Sequence, residues 1–385
     1  MKSAEKAVIL LIKSALSGEK QVMPMDLDWE NVLKISKRHQ IVPLVYYGIV
    51  NSGLEFDLKS EFFALTVQAT MVEQNQLFEL ENLKSVFSKN GICYLILKGP
   101  VVKSKYPSSE MRTMSDIDIL IKPSQYEKIK SAMEQSGYTF ELESDHEFVW
   151  RKKPFVNIEL HKHLIPSYNK DFYAYFGDGW QLAKAEDNSY EHILTEEDSF
   201  LYIFTHFAKH YRDGGIGLRH LTDLYVLLNN KKLNLDYLES ALKKLQIYEF
   251  FNNILNTLKM CFDCGEETEL TNKIITWVIE GGSYGLKKKY DLANAAKSVA
   301  GSNKSAKTAT VFKTLFPAAN AIKNRYPILE KAPFLLPIIW VVRAVSALFF
   351  RRDNIKENSQ KLKNVTDEAV KKYNEELAEV GLKFN

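Results

Sequence analysis

Cysteine is nearly missing from this chain: Cys93, Cys261 and Cys264 are the only three in 385 residues. A sparse, odd set of thiols excludes a disulfide scaffold and fits a reducing compartment, so a cytoplasmic location is expected. Glycine and proline are also few, at 17 and 11, which excludes a collagen-like or low-complexity chain. No apolar stretch runs long without interruption. The longest covers nineteen residues, 332–350, and is broken by Pro333, Pro337 and Arg343 before Arg351-Arg352. An Arg at mid-helix disfavours a transmembrane span, so a packing helix is expected there, with peripheral membrane contact as the alternative. The start, Met1-Lys2-Ser3-Ala4-Glu5-Lys6, leads into an amphipathic segment containing Lys13, without the apolar core of a signal peptide. Neither charge sign dominates, with 51 Lys+Arg against 48 Asp+Glu, a net +3. With 45% hydrophobic residues, the composition is that of a globular protein of two or three domains.

The balanced total hides one asymmetry. Residues 283–331 hold ten basic residues, from Lys287 to Lys331, against Asp291 and Glu330, a local net of +8. Such a segment attracts phosphates on nucleotides, nucleic acids or lipids, although a solvated helical face accounts for it equally well.

Periodicity divides the chain into three. Over residues 1–90 apolar residues recur at helical spacing (Val8, Leu11, Ile12, Ala15; later Phe62, Leu65, Ala69, Val72), which predicts a helical N-terminal region. Gly91 then ends the last helix, and Ile92 to Leu97 form a short apolar run suited to a buried strand. Asp116-Ile117-Asp118-Ile119-Leu120-Ile121 alternates as a strand does. Further strand-like pieces follow around 138–142, 148–151 and 155–160, so residues 91–165 are expected to form a compact α/β unit. From 166 to 385 helical periodicity returns. The fold class expected is therefore α+β, a small mixed sheet embedded between mainly helical regions.

The α/β segment carries the chemistry. Asp116 and Asp118 stand at i and i+2 on one strand and leave the same face of it. Two facing carboxylates repel unless a cation lies between them, and oxygen donors select a hard divalent ion, Mg²⁺ or Mn²⁺. Glu159 repeats the grammar between apolar Ile158 and Leu160 and is the candidate third ligand. Ahead of the pair, Lys98-Gly99 ends a strand and opens a short helix, a place where backbone N–H groups meet a phosphate. Lys98 and Arg112 would add charge for the phosphate oxygens. His161 shares the face of Glu159, as an acceptor or phosphate contact or as a support behind the ligands. His206 and His210, at i and i+4 on a helix, suit a structural hydrogen-bonding role, a substrate contact or a metal site. They lack the Glu of a His-Glu-x-x-His motif. Cys261-x-x-Cys264 has no second pair, and no Walker A, Gly-x-Ser-x-Gly or dinucleotide fingerprint is present.

Strand, Gly turn, Asp-x-Asp and a later third acid resemble the nucleotidyltransferase superfamily with a DNA polymerase β type of palm. Leu97-Lys98-Gly99, Tyr106-Pro107, Arg112 and Ser115-Asp116-Ile117-Asp118 look like the bacterial family called uncharacterised nucleotidyltransferase. Glu159-Leu160-His161, the His206/His210 helix, Asp223-Leu224 and Tyr326-Pro327 extend the likeness. The resemblance implies transfer of a nucleoside monophosphate from an NTP to an unknown acceptor with release of pyrophosphate. It makes Asp116, Asp118 and Glu159 the catalytic and metal-binding residues. Lys98, Gly99, Arg112 and Ser115 fall on the nucleotide, and His161, His206 and His210 on the substrate. Two departures stand out: Pro100 replaces the usual Ser after the glycine, and residues 101–115 make a long gap before Asp116. A weakened palm serving as a nucleotide- or partner-binding module in a biosynthetic assembly, with a peripheral membrane location as one form of it, is the rival reading. A sequence-specific nucleic acid is not an expected partner.

Overall fold

The computed structural model describes residues 1–385 except 188, 231–232, 300–304, 324, 351–363 and 385. Lys304, one of the ten basic residues of 283–331, and Arg351-Arg352 therefore lie outside the described residues. The chain divides into two compact units. The first comprises 1–209 and 216–284, the second 210–215 and 285–385.

The first unit begins with four helices, Ser3–Ser17, Trp29–Arg38, Val42–Ser52 and Lys59–Lys89. Local chemistry sets their ends. The Asp28 carboxylate accepts the Asn31 N–H at 2.9 Å and caps Trp29–Arg38, while Lys37 and Arg38 meet its negative C-terminus. Seven strands follow: β1 (Tyr94–Ile96), β2 (Ile117–Ile121), β3 (Thr139–Glu143), β4 (Glu147–Lys152), β5 (Val156–His161), β6 (Lys184–Ala185) and β7 (Glu191–Ile193). They form one mixed sheet of order β3-β4-β5-β2-β1-β7-β6. β2 and β5 run parallel, and β1 pairs antiparallel with β2 and parallel with β7. The α+β class expected from the sequence is thus the one observed. β6 and β7 carried no readable alternation, being two and three residues long.

One face of the sheet builds the core. Ile117, Ile119 and Ile121 of β2, Ile158 and Leu160 of β5, and Trp150 of β4 pack with Leu80, Leu83 and Phe87 of the long helix and Ile129 and Met133 of helix Tyr126–Gln135. The period of two then sends the intervening residues, Asp118 and Glu159 among them, to the opposite face.

Behind the sheet, helix Trp29–Arg38 ends at His39, which is wholly buried. Its Nε2–H donates to the Ile279 carbonyl at 3.1 Å, and its Nδ1 accepts the Leu218 N–H at 3.0 Å. That pair of bonds needs the neutral ring. Burial, with the charge of Arg38 beside it, lowers the imidazole from 6.5 to about 4. Because the folded value lies below the unfolded one, the stability held in the neutral ring is present above pH 6.5 and lost as pH falls toward 4. A lowering of that size corresponds to roughly 3 kcal/mol. His39→Gln is therefore expected to narrow the gap between urea stabilities measured at pH 7.5 and 4.5 by roughly that amount. An unchanged gap would contradict the assignment.

In the second unit helices Lys287–Val299 and Asp367–Glu379 pack through Leu292, Ala296, Val370, Tyr373 and Leu377, and Lys297 pairs with Asp213 at 2.6 Å. The hydrophobic run forms helix Leu336–Phe350, and here the expected buried packing helix is corrected. Ile338, Val341, Val342 and Val345 are 44–63% exposed along a single i, i+3, i+4, i+7 stripe. Hydrophobicity alone does not supply a covering partner. Among the described residues no helix is long and apolar enough to cross a membrane.

Candidate active site

The strand register brings the acids together. Asp118 on β2 lies opposite Glu159 on β5, and Leu120 lies opposite His161. On the far side of β5, Glu147 at the start of β4 lies opposite His161. Asp116 directly precedes β2, on the same alternation as Asp118. On the other flank the Leu97 N–H bonds to the Asp118 carbonyl at 2.9 Å, which sets Lys98 beside the pair at φ 40°, a left-handed conformation unusual for a lysine.

Asp118 is the hub. Its Oδ1 accepts from Lys98 Nζ at 3.0 Å and from His161 Nε2 at 2.6 Å. A carboxylate only accepts, so the Nε2 of His161 carries the hydrogen. His161 Nδ1 then meets His146 Nε2 at 2.8 Å, completing a chain His146–His161–Asp118. Glu159 and Glu147 each place a carboxylate oxygen 3.9 Å from the His161 ring nitrogens.

Charge is crowded here. Burial works against ionisation of Asp118, yet the Lys98 ammonium and the His161 hydrogen bond hold it well below the usual carboxylate range. Asp116 is raised by burial and by the charge of Asp118. Glu159 is raised to about 8 by burial and then by Asp116, Asp118 and Glu147. Burial, with the charge of His161 and Lys98, keeps His146 far below its ordinary value and hence neutral.

Asp116 and Glu159 hold their protons more tightly because the carboxyl groups crowd one another, the condition a divalent cation relieves. The ligand atoms of Asp118, Glu159 and His161 all lie within 4.8 Å of one another, and so do those of His146, Glu147 and His161. These residues fit a divalent ion. The carboxylates of Asp118 and Glu159 suit Mg²⁺ or Mn²⁺, and the His161 ring, held by Asp118 and His146, stands beside them.

The remaining sequence candidates scatter. Gly99 begins a five-residue helix, Gly99–Lys103, and its missing side chain makes room for Met114: a Cβ would meet the sulfur at 2.7 Å. Arg112, expected at a phosphate, instead grips Asp223, with Nε to Oδ1 at 3.2 Å and Nη2 to Oδ2 at 2.9 Å. The physical reason is burial: at 7% exposure its charge needs a fixed partner, and helix Leu218–Asn230 supplies one. Ser115 is exposed and, among the described residues, reaches only Gln40, Oγ to Oε1 at 3.4 Å. His206 lies in the first unit with its ring centre 6.5 Å from that of Tyr202, whose ring in turn lies 5.8 Å from Lys98 Nζ. His210 opens the second unit. Cys261 is buried, its thiol pushed up to about 12 by that burial, which makes it a poor thiolate.

The structure adds residues that the sequence did not mark. Glu147 precedes the apolar run Phe148-Val149-Trp150, and no alternation in that run singles it out. His146 and Arg219 carried no local signal.

No curated protein and no solved structure matches the chain. The sequence profile of the family described as Uncharacterised nucleotidyltransferase matches residues 25–263, more than half of the chain and all seven strands. The chain belongs to this uncharacterised nucleotidyltransferase family.

Proposed function

We propose that the protein transfers a nucleoside monophosphate from an NTP to an acceptor, a small molecule, peptide or protein, with release of pyrophosphate and dependence on Mg²⁺ or Mn²⁺. The observation that carries the reading is the β2/β5 register, which seats Glu159 opposite Asp118 on the face of the sheet turned from the core. In the reaction an acceptor oxygen forms a bond to the α-phosphorus, the bond from that phosphorus to the β-phosphate oxygen breaks, and the acceptor proton leaves to a base. A divalent ion on Asp116, Asp118 and Glu159 would supply charge neutralisation for the triphosphate and a lowered pKa for the acceptor.

The chain's own residues prepare for this. Lys98 and His161 keep Asp118 ionised and fix its rotamer. Lys98 acts through Asp118, to which its ammonium is bound. Glu159 keeps a proton up to about pH 8 while the carboxylates beside it are unscreened, and loses it as a cation enters. Its carboxylate is then the group available to orient the acceptor and take its proton. Positioning and electrostatics account for the chemistry without a covalent intermediate.

The test uses the full chain with each α-labelled NTP, Mn²⁺ or Mg²⁺, and cell extract. Label is expected on an acceptor, or on the protein itself, with pyrophosphate in equal amount. Glu159→Gln should lower transfer by at least about 100-fold while NTP affinity stays near wild type. Binding of every NTP without any transfer or pyrophosphate would favour the rival reading, a nucleotide-binding module in which Pro100 has replaced the usual serine.

A further inference from the structure

The charges of two guanidinium groups reach Asp116, and among the described residues only one of them, Arg112, is hydrogen-bonded to a carboxylate. Arg112 uses Nε and Nη2 on the two oxygens of Asp223 and Nη1 on the Thr113 carbonyl at 3.3 Å. The Tyr106 hydroxyl donates to Asp223 Oδ1 at 2.8 Å as well, so that carboxylate is fully engaged.

Arg219, in the first turn of helix Leu218–Asn230, is in the opposite situation. It is 9% exposed, and its one hydrogen bond among the described residues runs from Nη1 to the Thr113 carbonyl at 3.2 Å. Its Nε is buried without a partner. A guanidinium offers five N–H donors, and burying it without a carboxylate is costly. Burial, followed by the charge of Arg112, lowers its hold on its proton to about 10. Asp223 and Asp116 act on this charge only at a distance, and among the described residues no carboxylate is hydrogen-bonded to it.

Location gives that charge a use. Thr113, to which Arg219 is tied, lies three residues before Asp116, and the charge of Arg219 reaches Asp116 and stabilises its ionised form. Glu147, His146 and His161 crowd the other side of Asp118. The guanidinium edge that Thr113 does not engage offers a planar fork of donors whose geometry matches a phosphate.

We propose that Arg219 is the oxyanion-binding residue of this site and takes a phosphate of the nucleotide, the role that the sequence pattern gave to Arg112. This rests on the nucleotidyltransferase reading for the identity of the anion. The buried Nε without a partner does not depend on that reading.

The experiment is calorimetric binding to the full-length protein in EDTA, with inorganic pyrophosphate, ATP and adenosine as separate probes. Wild type is expected to bind pyrophosphate and ATP. Arg219→Gln should weaken both by roughly 10- to 100-fold, with Arg219→Lys recovering part, and adenosine should show no difference between the proteins. A folding control separates binding from bracing. Because burial of the guanidinium is not repaid by a hydrogen-bonded carboxylate, Arg219→Gln should melt no lower than wild type without anion. Pyrophosphate should raise the midpoint of wild type alone.

Unchanged pyrophosphate and ATP affinity in Arg219→Gln overturns the proposal and leaves the nucleotidyltransferase reading standing. Arg219-dependent binding of pyrophosphate without binding of ATP keeps the oxyanion site and removes the nucleotide. A large fall in the anion-free midpoint of Arg219→Gln makes Arg219 a brace for the Thr113 loop and overturns the proposal, as does failure of wild type to bind either anion.

Discussion

Mn²⁺ is expected to raise the thermal midpoint of the wild-type protein and to leave an Asp116→Asn/Asp118→Asn double variant unmoved. A cation that binds only the folded state stabilises it by about 2.7 kcal/mol at one hundred times its dissociation constant, which is roughly 5–10 °C for a domain of this size. The same variant should lose transfer activity by a factor on the order of 10³. The single variants separate two effects that the double variant merges. Asp116 is crowded by Asp118, so Asp116→Asn relieves repulsion and should melt at or above the wild-type midpoint in EDTA while losing the Mn²⁺ response. Asp118 neutralises Lys98, whose side chain is 18% exposed, so Asp118→Asn strands a buried ammonium and should melt lower. Equal Mn²⁺ shifts in wild type and double variant would place the metal site elsewhere.

Asp223→Ala is expected to be the most destabilising single substitution around the site. It leaves the Arg112 guanidinium without its bidentate partner at 8% side-chain exposure, and it takes away the acceptor of the Tyr106 hydroxyl. Breaking a buried pair from one side costs about 3–5 kcal/mol, because a charge is left buried and uncompensated. Urea denaturation should register that loss. The paired replacement Arg112→Met/Asp223→Leu should recover much of it, since both charges are then gone. The loop from Arg112 to Asp116 hangs on this pair, so Asp223→Ala should also blunt the Mn²⁺ response even though Asp223 is not among the acids of the metal cluster. A midpoint within about 1 kcal/mol of wild type would mean that water reaches Arg112 and replaces the carboxylate.

The two predictions differ in how much of each was readable in advance. Asp116, Asp118 and Glu159 could be read from the order of residues because strand periodicity is local. An acid between two buried isoleucines must face away from the core, whatever the rest of the chain does. The helical N-terminal region, the strands near 117, 140, 149 and 158, and the α+β class followed from the same short-range patterns. The partner of a buried charge is a different kind of quantity. Arg112 and Asp223 are 111 residues apart and Lys98 and Asp118 are 20 apart, and no local period distinguishes a guanidinium waiting for a phosphate from one held by a carboxylate. The same holds for His146 and Glu147, brought beside His161 by the antiparallel β4/β5 register, and for Arg219, whose buried Nε is left without a partner only once helix Leu218–Asn230 is packed. Backbone alternation thus settled which side chains leave the core face of each strand. Only the tertiary structure decided which of them meet, because Coulomb and hydrogen-bond partners are chosen by distance in space, over sequence separations that periodicity does not reach.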